Sequence, residues 1–245
     1  MRFDVITLFP AMVETLFDHG VMGRAAEQGR LQLVTWNPRD YAVDRHRTVD
    51  DRPYGGGPGM VMKVEPVRAA IQAARAAAQP APVVYLTPEG RRLDGEVAGG
   101  MAGMERVILL CGRYEGIDER LIALEVDREL SIGDYVLSGG ELAAMVVMDA
   151  VARLVPGVLG HAESAAQDAF SAGLLDCPHY TRPEAVAGLE VPAVLLGGDH
   201  AAVARWRHRE ALGRTWRKRP DLLEQRGMSD DEQALLADWR REHND

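Results

Sequence analysis

Cysteine is nearly missing from this 245-residue chain: it has two, Cys111 and Cys177. That is too few for a disulfide framework, and their positions lack the spacing of a zinc site. Aromatic residues make up 6% of the sequence, and no apolar run approaches the length that spans a bilayer. The opening residues Met1-Arg2-Phe3-Asp4 begin a strand-like pattern and not a signal peptide. No strand leads into a G-x-G-x-x-G turn and helix, and no phosphate-binding P-loop pattern occurs, which removes the commonest nucleotide-binding classes. Positive charge is also in deficit: 28 Lys and Arg against 37 Asp and Glu give a net charge of -9. Such a balance argues against indiscriminate nucleic-acid binding but leaves room for a local basic patch. With 47% hydrophobic residues the chain has the makings of a soluble globular protein in a reducing cytoplasm.

Glycine, by contrast, is clustered. Residues 111–141 (CGRYEGIDERLIALEVDRELSIGDYVLSGGE) lie between the apolar runs 107–110 and 142–147. A short apolar run followed at once by Gly-containing chain is how a buried strand delivers its carboxyl end to a ligand. This happens at Cys111-Gly112-Arg113 and again at Ser131-Ile132-Gly133, with a third such turn upstream at Thr87-Pro88-Glu89-Gly90. One Gly-rich turn alone reads as ordinary surface; two around one helix with a third upstream read as a site.

In chain order, residues 3–9, 31–36, 83–86, 107–110 and 125–130 read as strands. Residues 10–17, 21–28, 64–78, 115–123 and 141–155 read as helices, with Asp94 capping a further short one. Residues 37–62 lapse into a long polar loop. Strands alternating with helices predict an α/β fold, a mostly parallel sheet with helices on both faces. Residues 160–173 are small and polar and read as a flexible linker. Beyond them Pro178, Pro183 and Pro192 punctuate the chain before residues 201–215 turn helical, and Ser229 with Glu232 forms a capping-box signature for a last helix. The predicted domains are therefore 1–159, an α/β domain, and 174–245, a small helical C-terminal domain.

The histidines are scattered. His200 and His208 are isolated, and His161 and His179 sit in loop-like sequence, so no metal ligands are expected. What remains is irregular backbone beside tyrosines and carboxylates, able to offer N–H and C=O groups to a polar, adenine-like ligand.

Five runs carry a resemblance: 52–60 (RPYGGGPGM), 111–120 (CGRYEGIDER), 131–141 (SIGDYVLSGGE), 156–161 (PGVLGH) and 173–183 (GLLDCPHYTRP). In order and across nearly the whole chain, they resemble the bacterial tRNA (guanine-N1)-methyltransferase family, TrmD. The resemblance implies a knotted SPOUT-type methyltransferase domain, a homodimer, and S-adenosylmethionine as methyl donor to N1 of the guanosine just 3′ of a tRNA anticodon, position 37. Carried onto this chain, the donor would sit among Leu86, Thr87 and Pro88; Gly112, Tyr114, Glu115 and Gly116; and Ser131, Ile132, Gly133, Asp134, Tyr135, Val136, Leu137, Gly139 and Gly140. The same three turns emerge from the strand-end argument. Magnesium is associated with turnover in that family, without a ligand cluster in this sequence to place it.

N1 of guanine carries a proton, so its methylation calls for a general base and for a fixed positive group near O6. The family pattern places these at Asp168, in the linker, and Arg153, at the end of the preceding helix. From the residues alone, Asp168 is an ordinary linker acid and Arg153 a surface partner of Asp149 four residues earlier. The family usually carries serine after the aspartate, where this chain has Ala169, and serine at Thr87. RNA contact is expected in two places. Residues 205–219 (RWRHREALGRTWRKR) hold seven basic side chains, Arg205, Arg209, Arg214, Arg217 and Lys218 among them, with Glu210 the only acid. Trp206 and Trp216 interleave and read first as core residues. The Gly-rich loop carries Asp50 and Gly59. No membrane or DNA partner is expected. Two other classes stay open at this point: an RNA-binding module without catalysis, and a nucleotide-using enzyme unrelated to methyl transfer.

Overall fold

The apolar runs become five parallel strands, with the turns that follow them on one side. The structure, a computed structural model, describes residues 1–160, 168–170 and 172–243. Most of the predicted linker, His161 included, lies outside the described residues. The chain divides into two units, Met1–His161 and Ala162–Asp245.

In the first unit, β1 (Arg2–Ile6), β2 (Gln32–Trp36), β5 (Val83–Arg92), β6 (Arg106–Cys111) and β7 (Arg128–Ser131) form one sheet in the order β2-β1-β6-β5-β7. Every pairing in it is parallel. The short strands β3 (Asp50–Asp51) and β4 (Val61–Met62) make a separate antiparallel pair inside the predicted polar loop.

Helices cover both faces, which is why β6 (RVILLC) is apolar throughout instead of alternating. Val107, Leu109 and Cys111 join Phe3, Val5, Val84 and Leu86 in one core. That core includes residues from α2 (Gly20–Glu27), α4 (Gly95–Ala102) and α6 (Glu141–Ala152), together with Val13 of α1 (Pro10–Glu14). Ile108 and Leu110 point the other way, with Ile6, Val83 and Tyr85, onto α3 (Val64–Ala76) and Leu121 of α5 (Glu119–Glu125). The parity of each strand residue thus decides its core.

A buried ion-pair cluster sits at the amino ends of the strands. Asp4 accepts from Arg2 at 2.8 Å, Arg106 at 2.8 Å and the Trp36 indole at 2.8 Å. Arg106 also donates to the carbonyls of Gln79 and Ala74. Burial alone would push the Asp4 carboxyl up, but these donors outweigh it and hold it below the usual carboxylate range.

Three of the boundaries that differ from the sequence reading have a plain physical cause. Residues 115–123 were expected to be helical, yet α5 begins at Glu119 because Tyr114 and Gly116 adopt positive φ and Asp118 caps the helix through the Arg120 amide. Glu125, expected at the start of a strand, closes α5 instead, its carboxylate drawn to Arg68 at 2.7 Å and Arg75 at 2.6 Å on α3. β5 runs on to Arg92 after a register shift between Leu86 and Arg91 that bulges Thr87-Pro88-Glu89-Gly90 out of the ladder.

The second unit holds a small hairpin of β8 (Ala185–Val186) and β9 (Leu189–Glu190), followed by α7 (His200–Lys218), α8 (Pro220–Arg226) and α9 (Asp230–Glu242). Leu212, Leu223, Leu235 and Leu236 build its core with Leu174. The capping box forms as the sequence reads it, Ser229 and Glu232 exchanging bonds at the start of α9. Among the described residues no helix is long and apolar enough to cross a membrane.

Candidate active site

The bulge within β5 and the carboxyl ends of β6 and β7 open onto one cavity of about 500 Å³. That size suits a ligand of drug-like dimensions. Leu86, Thr87 and Pro88 line it from the β5 bulge, and Gly112, Tyr114, Glu115 and Gly116 from the turn after β6. Ser131, Ile132, Gly133, Tyr135, Val136, Leu137, Gly139 and Gly140 line it from the turn after β7. Asp134 is exposed and is not among the lining residues. Glu89 and Arg113, of the turns named in the sequence, line it too, and so do Tyr85, Ile117, Glu119, Ile122, Leu130 and Ala143, which sequence reasoning did not single out.

The turns lie too close together for side chains. A Cβ on Gly140 would lie 2.7 Å from the Cα of Cys111, and one on Gly112 would lie 2.9 Å from the Tyr85 ring. At Gly90 it would meet the backbone of Leu130. Hydrogen bonds then fix the spacing. The Gly140 amide donates to the Gly112 carbonyl at 2.9 Å, and the Ser131 hydroxyl donates to the Gly133 carbonyl at 3.1 Å.

Beneath the turns lies a buried acid. Glu141, at the amino end of α6, accepts from the Thr7 hydroxyl at 2.8 Å and from the Arg113 Nε at 2.8 Å. Arg113 donates in addition to the Ser138 carbonyl at 3.0 Å and stacks 4.4 Å from the Phe9 ring centroid. One guanidinium therefore ties the β6 turn to the β7 turn and both to α6. The pairing of a buried carboxylate with a partly exposed arginine was invisible in sequence, because Thr7, Arg113 and Glu141 are far apart along the chain.

The Gly-rich loop reaches the same cavity. The Glu115 amide donates to the Met60 carbonyl at 2.9 Å, and the Met62 amide to the Gly116 carbonyl at 2.9 Å. Gly59, at φ +78°, lies directly under the Glu115 side chain. Tyr114 lies against Asp50 and Arg39; burial first and then Asp50 push its phenol up from the ordinary value. Asp50 and Gly59 thus meet the cavity residues Tyr114 and Glu115. Arg39 carried no sequence signal at all.

The other predicted residues lie elsewhere. Arg153 caps the carboxyl end of α6 in the first unit, its amide bonded to the Asp149 carbonyl at 3.2 Å. Asp168 is a partly buried residue of the second unit. On α7, Arg205, Arg217 and Lys218 are exposed, and Arg214 is partly so. Arg209 is engaged within its unit, paired with Glu242 at 2.7 Å and Glu210 at 3.2 Å. Arg217 lies 4.7 Å over the Trp239 ring. Trp216 packs on the helical core, whereas Trp206 is partly buried 6.3 Å from Tyr180.

A family model described as tRNA (Guanine-1)-methyltransferase TrmD matches residues 1–225. The chain is similar to three proteins that bear the name tRNA (guanine-N(1)-)-methyltransferase. The one from Halorhodospira halophila is 64% identical over 99% of this chain and 92% of its own length. That of Nitrosococcus oceani is 62% identical over 99% and 97%. That of Serratia marcescens is 58% identical over 99% and 96%.

Proposed function

From the premise that this chain belongs to the tRNA (guanine-1)-methyltransferase TrmD family, we propose that it methylates N1 of the guanosine at position 37 of tRNA, using S-adenosylmethionine held in the cavity at the β5 bulge and the ends of β6 and β7. The observation that carries the reading is the convergence of three glycine-bearing turns on one cavity, beside the loop of Asp50 and Gly59. The residues present fit the donor: the cavity has the volume for a nucleoside-sized molecule, and its glycines leave room for close backbone approach. When bound, the donor supplies an electrophilic methyl group.

The chain's own residues supply the rest. Asp168 takes the proton from N1, which turns a poor nucleophile into a competent one. Arg153 faces the negative charge that spreads to O6 as that proton leaves. Tyr114, Asp50 and Arg39 form the polar edge against which the purine sits. An anticodon loop is already single-stranded, so moving one base into a pocket costs little. Arg205, Arg214 and Lys218 on α7 hold phosphates, and so does Arg217. Among the described residues, the single cluster of three potential metal-ligand side chains is Asp176, Cys177 and His179. A thiol and an imidazole do not suit magnesium, so that cluster is not assigned to it.

The reading also includes the knotted SPOUT topology of the family, the domain division at 160–173, a cytoplasmic location and a homodimer. For the dimer, Leu142 and Val146, one turn apart on α6 and each nearly half exposed, supply an apolar stripe for a second copy. In such an assembly Asp168 of one subunit serves the cavity of the other.

Incubation with methyl-labelled S-adenosylmethionine and unmodified tRNA tests this directly. Label should appear as 1-methylguanosine at position 37. Asp168→Ala should abolish transfer while donor affinity stays within a few-fold. Full activity in that variant would refute the base assignment, and tight tRNA binding without any label in RNA would leave only a binding module.

A further inference from the structure

Residues 176–179 (DCPH) place three different donor atoms together, although sequence spacing gave no reason to look for a metal there. The carboxylate of Asp176, the thiol of Cys177 and the imidazole of His179 offer ligand atoms that all lie within 4.8 Å of one another. His179 Nε2 and Asp176 Oδ2 are 2.9 Å apart, and the other Asp176 oxygen accepts from the Cys177 amide at 2.8 Å. The thiol is buried at the floor, while the Asp176 and His179 side chains are 43% and 71% exposed at the rim. An ordinary surface pair of Asp and His would need no sulfur beneath it and would contribute little to stability. Pro178 restricts the backbone between the sulfur and the imidazole, which reduces the ordering cost of bringing them together.

We propose that Asp176, Cys177 and His179 bind one divalent transition ion of the zinc type. Mixed oxygen, sulfur and nitrogen donors select borderline-soft ions over magnesium or calcium, which take oxygen. Three protein donors at an open rim leave a fourth position to water, as at zinc sites with exchangeable ligands. An ion so held would cross-link three side chains within four residues and stiffen the chain ahead of α7. The proposal is independent of the methyl-transfer reading.

Cobalt(II) is the probe, titrated into the full-length protein under reducing, oxygen-free conditions. One equivalent should bind, with the thiolate-to-cobalt charge-transfer band in the near ultraviolet and the intense visible bands of a four-coordinate site. Zinc should displace it, and millimolar magnesium should not. Cys177→Ser should remove the charge-transfer band, and His179→Gln, at an exposed position, should weaken binding by roughly tenfold or more. The absence of a band at millimolar cobalt, a band that survives Cys177→Ser, displacement by magnesium, or unchanged affinity in His179→Gln would each overturn the proposal.

Discussion

At Gly140 the backbone angle is one any residue adopts, with φ −75°. The prohibition there is steric: a methyl group would lie 2.7 Å from the Cα of Cys111 and 3.1 Å from the Gly112 nitrogen. Both obstacles are main chain and cannot swing aside. Gly140→Ala is therefore expected to destabilise by about 1–3 kcal/mol and to push the two turns apart. Calorimetric titration of S-adenosylmethionine should show affinity lowered by about tenfold or more, alongside a lower melting temperature. Affinity equal to wild type would mean that the cavity does not depend on this close approach. Single positions like this were legible in sequence because glycine clusters announce backbone demands. Arg39 and Tyr85 were not, since a lone arginine in a polar loop and a tyrosine in a strand have many ordinary uses.

Elements were legible wherever periodicity or an apolar run was uninterrupted. The strands of the sheet core and the helices α3, α6, α7 and α9 were all anticipated. Errors fell where tertiary partners overrode local pattern. Glu125 is helical because Arg68 and Arg75 hold its carboxylate, and neither arginine is near it in sequence. The link from Thr7 through Glu141 to Arg113 is the same kind of fact. Removing the guanidinium strands a fully buried carboxylate with only the Thr7 hydroxyl, so Arg113→Ala should cost about 3 kcal/mol. Glu141→Gln retains a hydrogen-bonding head and should cost less. Thermal melts would rank the two, and donor titration should show the larger loss for Arg113→Ala, because that side chain alone also holds the Ser138 carbonyl.

For the molecule as a whole, two electrostatic features set the response to solution conditions. Asp4 is held below the usual carboxylate range. A depressed folded-state value means that its stabilisation is complete above the unfolded value near pH 4 and fades as pH falls through the lower folded value. Asp4→Asn should lower stability at pH 7 by about 3–5 kcal/mol, by leaving Arg106 short of its counter-charge. It should also flatten the loss of stability between pH 4 and more acid solution, both read from urea unfolding. The second feature is the basic face of α7. Because Arg217 stacks over Trp239, its replacement would confuse folding with binding. Arg205→Glu combined with Lys218→Glu is the cleaner test. The slope of log affinity for tRNA against log salt should shrink by roughly 0.7 for each lost phosphate contact. An unchanged slope would remove α7 from the RNA interface. The α/β character of the first unit and the helices of the second could be read from the chain, whereas the pairing order β2-β1-β6-β5-β7 could not, because periodicity carries no information about which strands become neighbours.

The crowding of the turns around the cavity bears on how an inhibitor lodged there would fare under selection. Escape from a drug usually comes by enlarging, shrinking or recharging a side chain in its pocket. Gly112 and Gly140 have no side chain to alter, and the space where one would grow is already taken by Tyr85 and by the main chain of Cys111. Resistance to a compound gripped by that glycine wall would have to come from the rim, at Tyr135 or Val136, where side chains are free to change.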